Sequence, residues 1–340
     1  MQFDIIHTLP EMDTLSEEWD SLLLHSASHV PFLRHAYMRA WWQSLGGGEW
    51  QEGELNLVTA RAENGSLVGI APLFFTHNRQ GEPALMFLGS IEISDYLDVI
   101  ASPEHLPNFI NGLLDFLVSP HAPAWKVLDL YNFLDNSLTL PLLESSGVQK
   151  GLSYSKEPLQ HCPYIPLPDS WDDYLGGIDK KQRHEIRRKM RRAEEYPIPL
   201  RWYIVEDEKN LDEGIDGFLD LMAFDPPKKR FLTSAMRIQF HETMQMAFRQ
   251  GWLQLAFVEI GGEKAAAYCN FDYMNRIWVY NSGFNPNYWE LSLGWVLLGH
   301  LLHWAIDHKR EAYDFMRGEE DYKYRFGAVD RRVIRAMVRR

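Results

Sequence analysis

Three prolines, Pro163, Pro166 and Pro168, fall between Gln160 and Ser170. Proline fixes its own φ and carries no N–H, so neither a helix nor a central strand runs through such a stretch. The chain therefore divides there, into 1–165 and 166–340, which suits a length of 340 residues. Each half reads in the same order: helices, a glycine-centred hairpin, a further strand, a long helix and a last strand. In the first half, helices over 15–45 end at Gly46-Gly47-Gly48. Strands over 55–62 and 67–76 flank the turn Glu63-Asn64-Gly65-Ser66, whose Asn-Gly pair is a strong hairpin signal. Short strands follow over 85–89 and 96–100, then a helix over 103–118 and a strand over 125–130. In the second half a basic helix runs from Asp169 or Ser170 to about Glu195. Beyond it come a strand over 201–205 and helices over 211–224 and 233–250. A hairpin around Gly261-Gly262, a strand over 277–283, a helix over 291–308 and a strand over 312–315 complete the pattern.

The net charge is −13, opposite in sign to a protein that coats nucleic acid, so DNA is excluded as a partner. Two segments depart from that sign. Residues 180–192 hold eight basic residues against Glu185 alone, and the last ten hold five arginines and no acid. Such patches suit local capture of a small anion, or else are solvated faces. The two cysteines, Cys162 and Cys269, supply neither a disulfide scaffold nor a thiolate zinc site, and buried reduced thiols are expected. The N-terminus shows no cationic region before an apolar core, so no signal peptide is expected. The most apolar run, 291–306, is interrupted by Ser292, His300 and His303 and is too short to cross a bilayer. A cytoplasmic protein without an integral membrane segment is the expectation. His300 and His303 lack partners for a metal, His241 begins no zinc-protease motif, and neither a nucleophile elbow nor a P-loop is present. No metal is expected.

The order of three antiparallel strands, a loop and a long helix beginning Ser292-Leu293-Gly294 resembles the GNAT acyltransferase core. The segment YDFMRGEEDYKYRFG (313–327) resembles the C-terminal signature of the CelD/BcsL-like GNAT acyltransferase family. More distantly it resembles the FemABX-type aminoacyltransferases, which are also tandem GNAT proteins. In the first half, WDSLLLHSASHVPFLRHAYMRAWW, GSLVGIAPLFF and SDYLDVI look like the same family's opening. Leu293 stands where that family has proline, and the usual pyrophosphate motif, Gln/Arg-x-x-Gly-x-Gly/Ala, is absent. The resemblance implies an α/β fold of two tandem GNAT-like domains, with mixed, mainly antiparallel sheets flanked by helices. The first is the degenerate acceptor side; the second binds the donor and carries catalysis.

Within that frame several residues acquire candidate roles. Ser292, Leu293 and Gly294 place backbone N–H groups and a helix dipole where a donor's phosphates would sit; an ordinary serine cap is the plainer reading. Lys323 and Arg317 are candidate partners for a phosphate or carboxylate, or else part of a solvated face. Tyr322 is a candidate acid for the leaving thiolate. Asp314, in an apolar strand, needs a cationic partner, and is either half of an ion pair with Arg317 or another arginine, or a base. Asp95, Tyr96 and Asp98 are candidates to line the acceptor pocket, or else a strand entry with exposed acids. The resemblance thus implies an enzyme that moves an acyl group, other than aminoacyl, from acetyl-CoA or another acyl-CoA. Its acceptor would be an amine or hydroxyl of a sugar or cell-envelope and exopolysaccharide precursor. Two alternatives stand beside it: an aminoacyl-tRNA-dependent transferase, in which tRNA is a partner, and a GNAT-like binding module without catalysis.

Overall fold

The computed structural model describes residues 1–340, which form two compact units. The first comprises Met1–Gln160 together with Arg332–Arg340, and the second His161–Arg331. The last nine residues therefore return to the first unit, where the sequence reading left them in the second.

The first unit holds two sheets. In the four-stranded sheet Gln2–Ile6, Leu57–Arg61, Leu67–Ala71 and Ile100–Ala101 follow one another. In the six-stranded sheet the order is Glu54–Leu55, Leu73–His77, Pro83–Phe87, Val127–Leu134, Arg332–Arg339, Ser153–His161. The run read as a single strand over 67–76 is two strands in different sheets. Pro72 is the reason: it has no N–H to donate, and its carbonyl accepts instead from Leu88 N–H at 2.8 Å. Of the strand expected over 96–100, only Ile100 pairs, together with Ala101. The C-terminal arginines do not form a free cationic patch. Arg335 is bidentate on the fully buried Asp129 and reaches Glu157, while Arg339 is bidentate on Glu82.

The second unit is built on one six-stranded sheet. Its strands are β1 (Tyr164–Pro166), β2 (Leu200–Ile204), β3 (Leu253–Ile260), β4 (Glu263–Tyr273), β5 (Arg276–Phe284) and β6 (Ala312–Asp314). Their spatial order is β1-β6-β5-β4-β3-β2, antiparallel throughout except that β5 and β6 are parallel. The helices are α1 (Trp171–Gly177), α2 (Lys180–Glu194), α3 (Leu211–Met222), α4 (Pro226–Phe231), α5 (Ser234–Arg249), α6 (Leu293–Asp307) and α7 (Asp321–Arg325). The expected basic helix is broken at Gly176-Gly177, and Asp179 restarts it by capping the N–H groups of Lys181 and Gln182. α6 is apolar nearly all round, and its Leu297, Leu298, Leu301, Leu302 and Ala305 are completely buried. They form one cluster with Ala256, Val258, Ala266 and Ile277 of the sheet. No helix is long and apolar enough to cross a membrane.

His300 lies on α6 with its ring stacked on Trp202, 5.2 Å between centroids. Burial disfavours the charged imidazole and pulls its pKa down to about 4 from 6.5, with His303 adding to the effect. A depressed folded-state pKa favours the folded chain only while the unfolded imidazole is neutral. This contribution is therefore complete above pH 6.5 and is lost as the pH falls through 4, with a slope of at most about 1.4 kcal/mol per pH unit. Melting temperatures at pH 7.5 and 4.5 test it. His300→Phe, which keeps the stack, is expected to show a clearly smaller drop than the parent chain.

Candidate functional site

β5 and β6 pair over three rungs, from Arg276↔Ala312 to Trp278↔Asp314, and then separate. β6 ends, while β5 continues to Phe284. Along its other edge β5 stays paired with β4 up to Ala266↔Phe284, but with a bulge. Cys269 faces Asn281 and Asn270 faces Val279, so Tyr280 is the extra residue. A bulge of this kind bends its strand and re-aims the residues beyond it. The result is a fork in which the stretch of β5 beyond Trp278 has no strand on one side. Ser282 shows how the exposed backbone is satisfied there. Its N–H is accepted by Asn281 Oδ1 at 2.9 Å, and its carbonyl receives Lys228 Nζ of α4 at 2.6 Å. Gly283 is required next to it, because a Cβ would stand 2.4 Å from the backbone nitrogen of Met222 at the end of α3.

Beyond the fork, the loop from Asn285 to Ser292 leads into α6. Asn285 and Tyr288 are both anchored on the Glu263 carboxylate, at 2.9 and 2.6 Å. Ser292 takes a left-handed backbone, φ 53° and ψ 45°, and its side chain does not cap the helix. The N–H groups of Leu293 and Gly294 are left without an acceptor inside the protein, as helix starts are unless something caps them. They open into a cleft of about 330 Å³. Its walls are Tyr268, Phe284, Tyr288, Trp295, Lys189 and Tyr322, among others. Lys189, from α2, holds its ammonium 3.8 Å from the Trp295 ring centroid, and burial lowers its pKa. The Tyr268 and Tyr322 hydroxyls share a hydrogen bond, and burial raises the pKa of both, so both stay protonated at neutral pH. A second hollow of about 320 Å³, lined by Arg192, shares Tyr288 and Trp289 with the first. Trp289 is 75% exposed at their common edge.

The structure gathers Ser292, Leu293, Gly294 and Tyr322 around this one cleft. Gly294 has a packing reason to be glycine, because a Cβ there would meet the Phe284 ring at 2.5 Å. Lys323 is turned inward and is 3% exposed. Its ammonium meets the carbonyls of Arg317 and Gly318 at 3.1 and 3.0 Å and Glu320 at 2.9 Å, which ties down the loop after β6. The solvated face proposed for it is therefore not what the chain builds. Arg317 is half-buried in that loop. Asp314 is fully buried and pairs with Arg331, with Arg276 at 3.9 Å, while its other oxygen accepts Met316 N–H at 2.9 Å.

Asp95, Tyr96 and Asp98 belong to the first unit. Tyr96 is 1% exposed and packs edge-on to Phe32. Asp98 is 3% exposed and accepts from the hydroxyls of Ser28, Ser137 and Thr139 and from Val99 N–H. The exposed acid expected at Asp98 is not found: four hydrogen bonds occupy a buried carboxylate, as burial demands. Asp95 is half-buried. No group of three or more His, Cys, Asp or Glu side chains is arranged to hold a metal ion.

Sequence reasoning missed Lys228, Tyr268 and Phe284. A signal for Tyr268 was present, as Tyr and Asn interrupt the otherwise apolar run AAAYCNF. Lys228 lies in PPKK, between the helices read over 211–224 and 233–250, where no element was assigned; Pro226 starts α4, where its missing N–H costs nothing.

Residues 180–324 match the family model described as acetyltransferase (GNAT) domain. No curated protein matches the chain. Among solved structures, FemX is similar with a TM-score of 0.66 at 11% identity, over 99% of this chain and 97% of its own. The C-terminal domain of a putative lysylphosphatidylglycerol synthetase from Agrobacterium fabrum gives 0.56 at 11%, over 97% and 92%. A tandem GNAT protein from the clavulanic acid biosynthesis pathway gives 0.50 at 11%, over 98% and 98%. At such identity the likeness is one of fold. The chain has a tandem GNAT-like α/β fold, and the residues that match the acetyltransferase (GNAT) domain model, 180–324, contain the fork and the cleft.

Proposed function

We propose that the second unit transfers an acyl group from an acyl-CoA to an amine or hydroxyl of a sugar or cell-envelope precursor. The uncapped start of α6, opening into a cleft beside Lys189, carries this reading. Two free N–H groups, a helix dipole and a nearby ammonium are what a pyrophosphate needs. The adjoining hollow beside Arg192 gives a long, charged donor room to continue. At the fork β5 beyond Trp278 has no strand on one side, and a backbone N–H of that edge other than that of Ser282 polarises the thioester carbonyl oxygen. The acceptor's lone pair then bonds to the acyl carbon, the C–S bond breaks, and the thiolate takes the Tyr322 proton. The acceptor's own proton passes to water, and Tyr322 is reprotonated from solvent.

Thermal unfolding with acetyl-CoA and with longer acyl-CoAs tests the donor. A ligand at a hundred times its Kd is expected to raise the melting temperature by about 5 °C. Gly294→Leu and Lys189→Glu are expected to abolish the shift; no shift at millimolar thioester would sink the assignment. For Tyr322→Phe, steady-state kinetics are expected to show kcat down about 10²–10³-fold with little change in KM. An unchanged kcat would remove Tyr322 from the reaction.

An aminoacyl-tRNA donor is the second reading, favoured by the exposed Arg187, Arg191 and Arg192 of α2. Salt-sensitive retention of aminoacyl-tRNA without any acyl-CoA shift would select it. Neither ligand binding would leave the non-catalytic module.

A further inference from the structure

Beneath the fork, two buried amides make one hydrogen bond between them and leave two atoms with none. Gln254 of β3 and Asn270 of β4 are register partners, 2% and 0% exposed. Asn270 Nδ2 donates to Gln254 Oε1 at 2.8 Å. Gln254 Nε2 and Asn270 Oδ1 have no partner. Exchanging oxygen and nitrogen in both amides does not alter this: one bond forms inside the pair, and one donor and one acceptor remain. Buried polar atoms are rarely left so.

The fork determines where the pair lies. Asn270 faces Val279, the first β5 residue past the last rung with β6, next to the bulge. The hydroxyl of Tyr313, on β6, is 3.5 Å from Asn270 Nδ2. Tyr322 lies within electrostatic reach of Tyr313 and is hydrogen-bonded to Tyr268. Tyr268 and Tyr322 are themselves walls of the cleft. The Tyr313 hydroxyl next to the pair and the Tyr268 and Tyr322 hydroxyls of the cleft wall therefore share one face of the sheet, which is otherwise apolar.

We propose that this pair reads a hydroxyl group on the acyl chain of the donor, an inference that rests on the acyl-CoA reading above. A hydroxyl donates to Asn270 Oδ1 and accepts from Gln254 Nε2 at the same time. An alkyl chain leaves both unmet. An ammonium donates but cannot accept, so it leaves one unmet. The substrate class is thus a hydroxyacyl thioester rather than a plain or amino-substituted one.

Titration of the full chain with butyryl-, 3-hydroxybutyryl- and 3-aminobutyryl-CoA, followed calorimetrically, tests it. The hydroxy thioester is expected to bind at least tenfold more tightly than the other two. Gln254→Leu/Asn270→Leu removes both amides together, which spares the fold an orphaned partner. In it the preference is expected to reverse toward butyryl-CoA; if that variant does not fold, the parent series alone decides. Equal binding of butyryl- and 3-hydroxybutyryl-CoA overturns the inference and leaves the acyl-CoA reading standing. Preference for the amino thioester also overturns it, in favour of an aminoacyl-like donor. Failure of all three to bind removes the acyl-CoA reading itself, and the inference with it.

Discussion

A chain ending at Arg331 is expected to lose the fold of its first unit while keeping that of its second. The strand Arg332–Arg339 lies between Val127–Leu134 and Ser153–His161, so its loss strips two neighbours of their ladder bonds. It also uncovers Asp129, which is fully buried and bidentate with Arg335 at 2.7 and 2.8 Å. A buried carboxylate without its partner costs about 3–5 kcal/mol, a large share of what holds a domain together. Hydrogen exchange is the measurement. Amides of Val127–Leu134 and Ser153–His161 are expected to lose protection in the truncated chain, and those of β3, β4 and α6 to keep it. Arg335→Met is the milder form, expected to destabilise the first unit by about 3–5 kcal/mol. Full protection of Val127–Leu134 after truncation would show that the strand is dispensable.

Asp314→Ala is expected to destabilise the second unit by a similar amount, about 3–5 kcal/mol. It leaves Arg331, whose side chain is only 13% exposed, facing an empty carboxylate site, and it orphans Met316 N–H. Urea unfolding of the parent chain, Asp314→Ala and Asp314→Leu/Arg331→Met measures this. The double variant is expected to recover most of the loss, because an apolar pair of similar size often replaces a buried ion pair at little cost. The same variants separate the two roles considered for Asp314. A stable double variant that retains kcat makes the ion pair structural; one that is stable yet inactive makes Asp314 a base.

Much of the second unit was legible because its signals are local. Gly261-Gly262 marks a hairpin, and the apolar run after Ser292 is a buried helix. What was not legible depends on distant partners. Pro72 divides a run that reads as one strand, but only the sheets show that its halves part company. The arginines of the C-terminal strand look like a free patch until Asp129, Glu157 and Glu82 come within reach. Lys323 looks solvated among Glu319, Glu320 and Asp321, yet the loop after β6 folds over it. The cleft was half legible. The helix start was named from order and resemblance, whereas Lys189, Tyr268 and Phe284 are brought there by packing that no spacing encodes. The burial of Asp98 is hidden for the same reason, since Ser28, Ser137 and Thr139 lie far from it in sequence.

The return of the last strand has a consequence for biosynthesis. Domains commonly fold in the order in which they leave the ribosome. Here the first unit's six-stranded sheet cannot close until all of the second unit has been translated, because the strand that completes it follows Arg331. The second unit can finish before the first. During that interval the edges of Val127–Leu134 and Ser153–His161 stand open to other chains, so a nascent chain stalled within residues 161–331 is the form of this protein most exposed to aggregation.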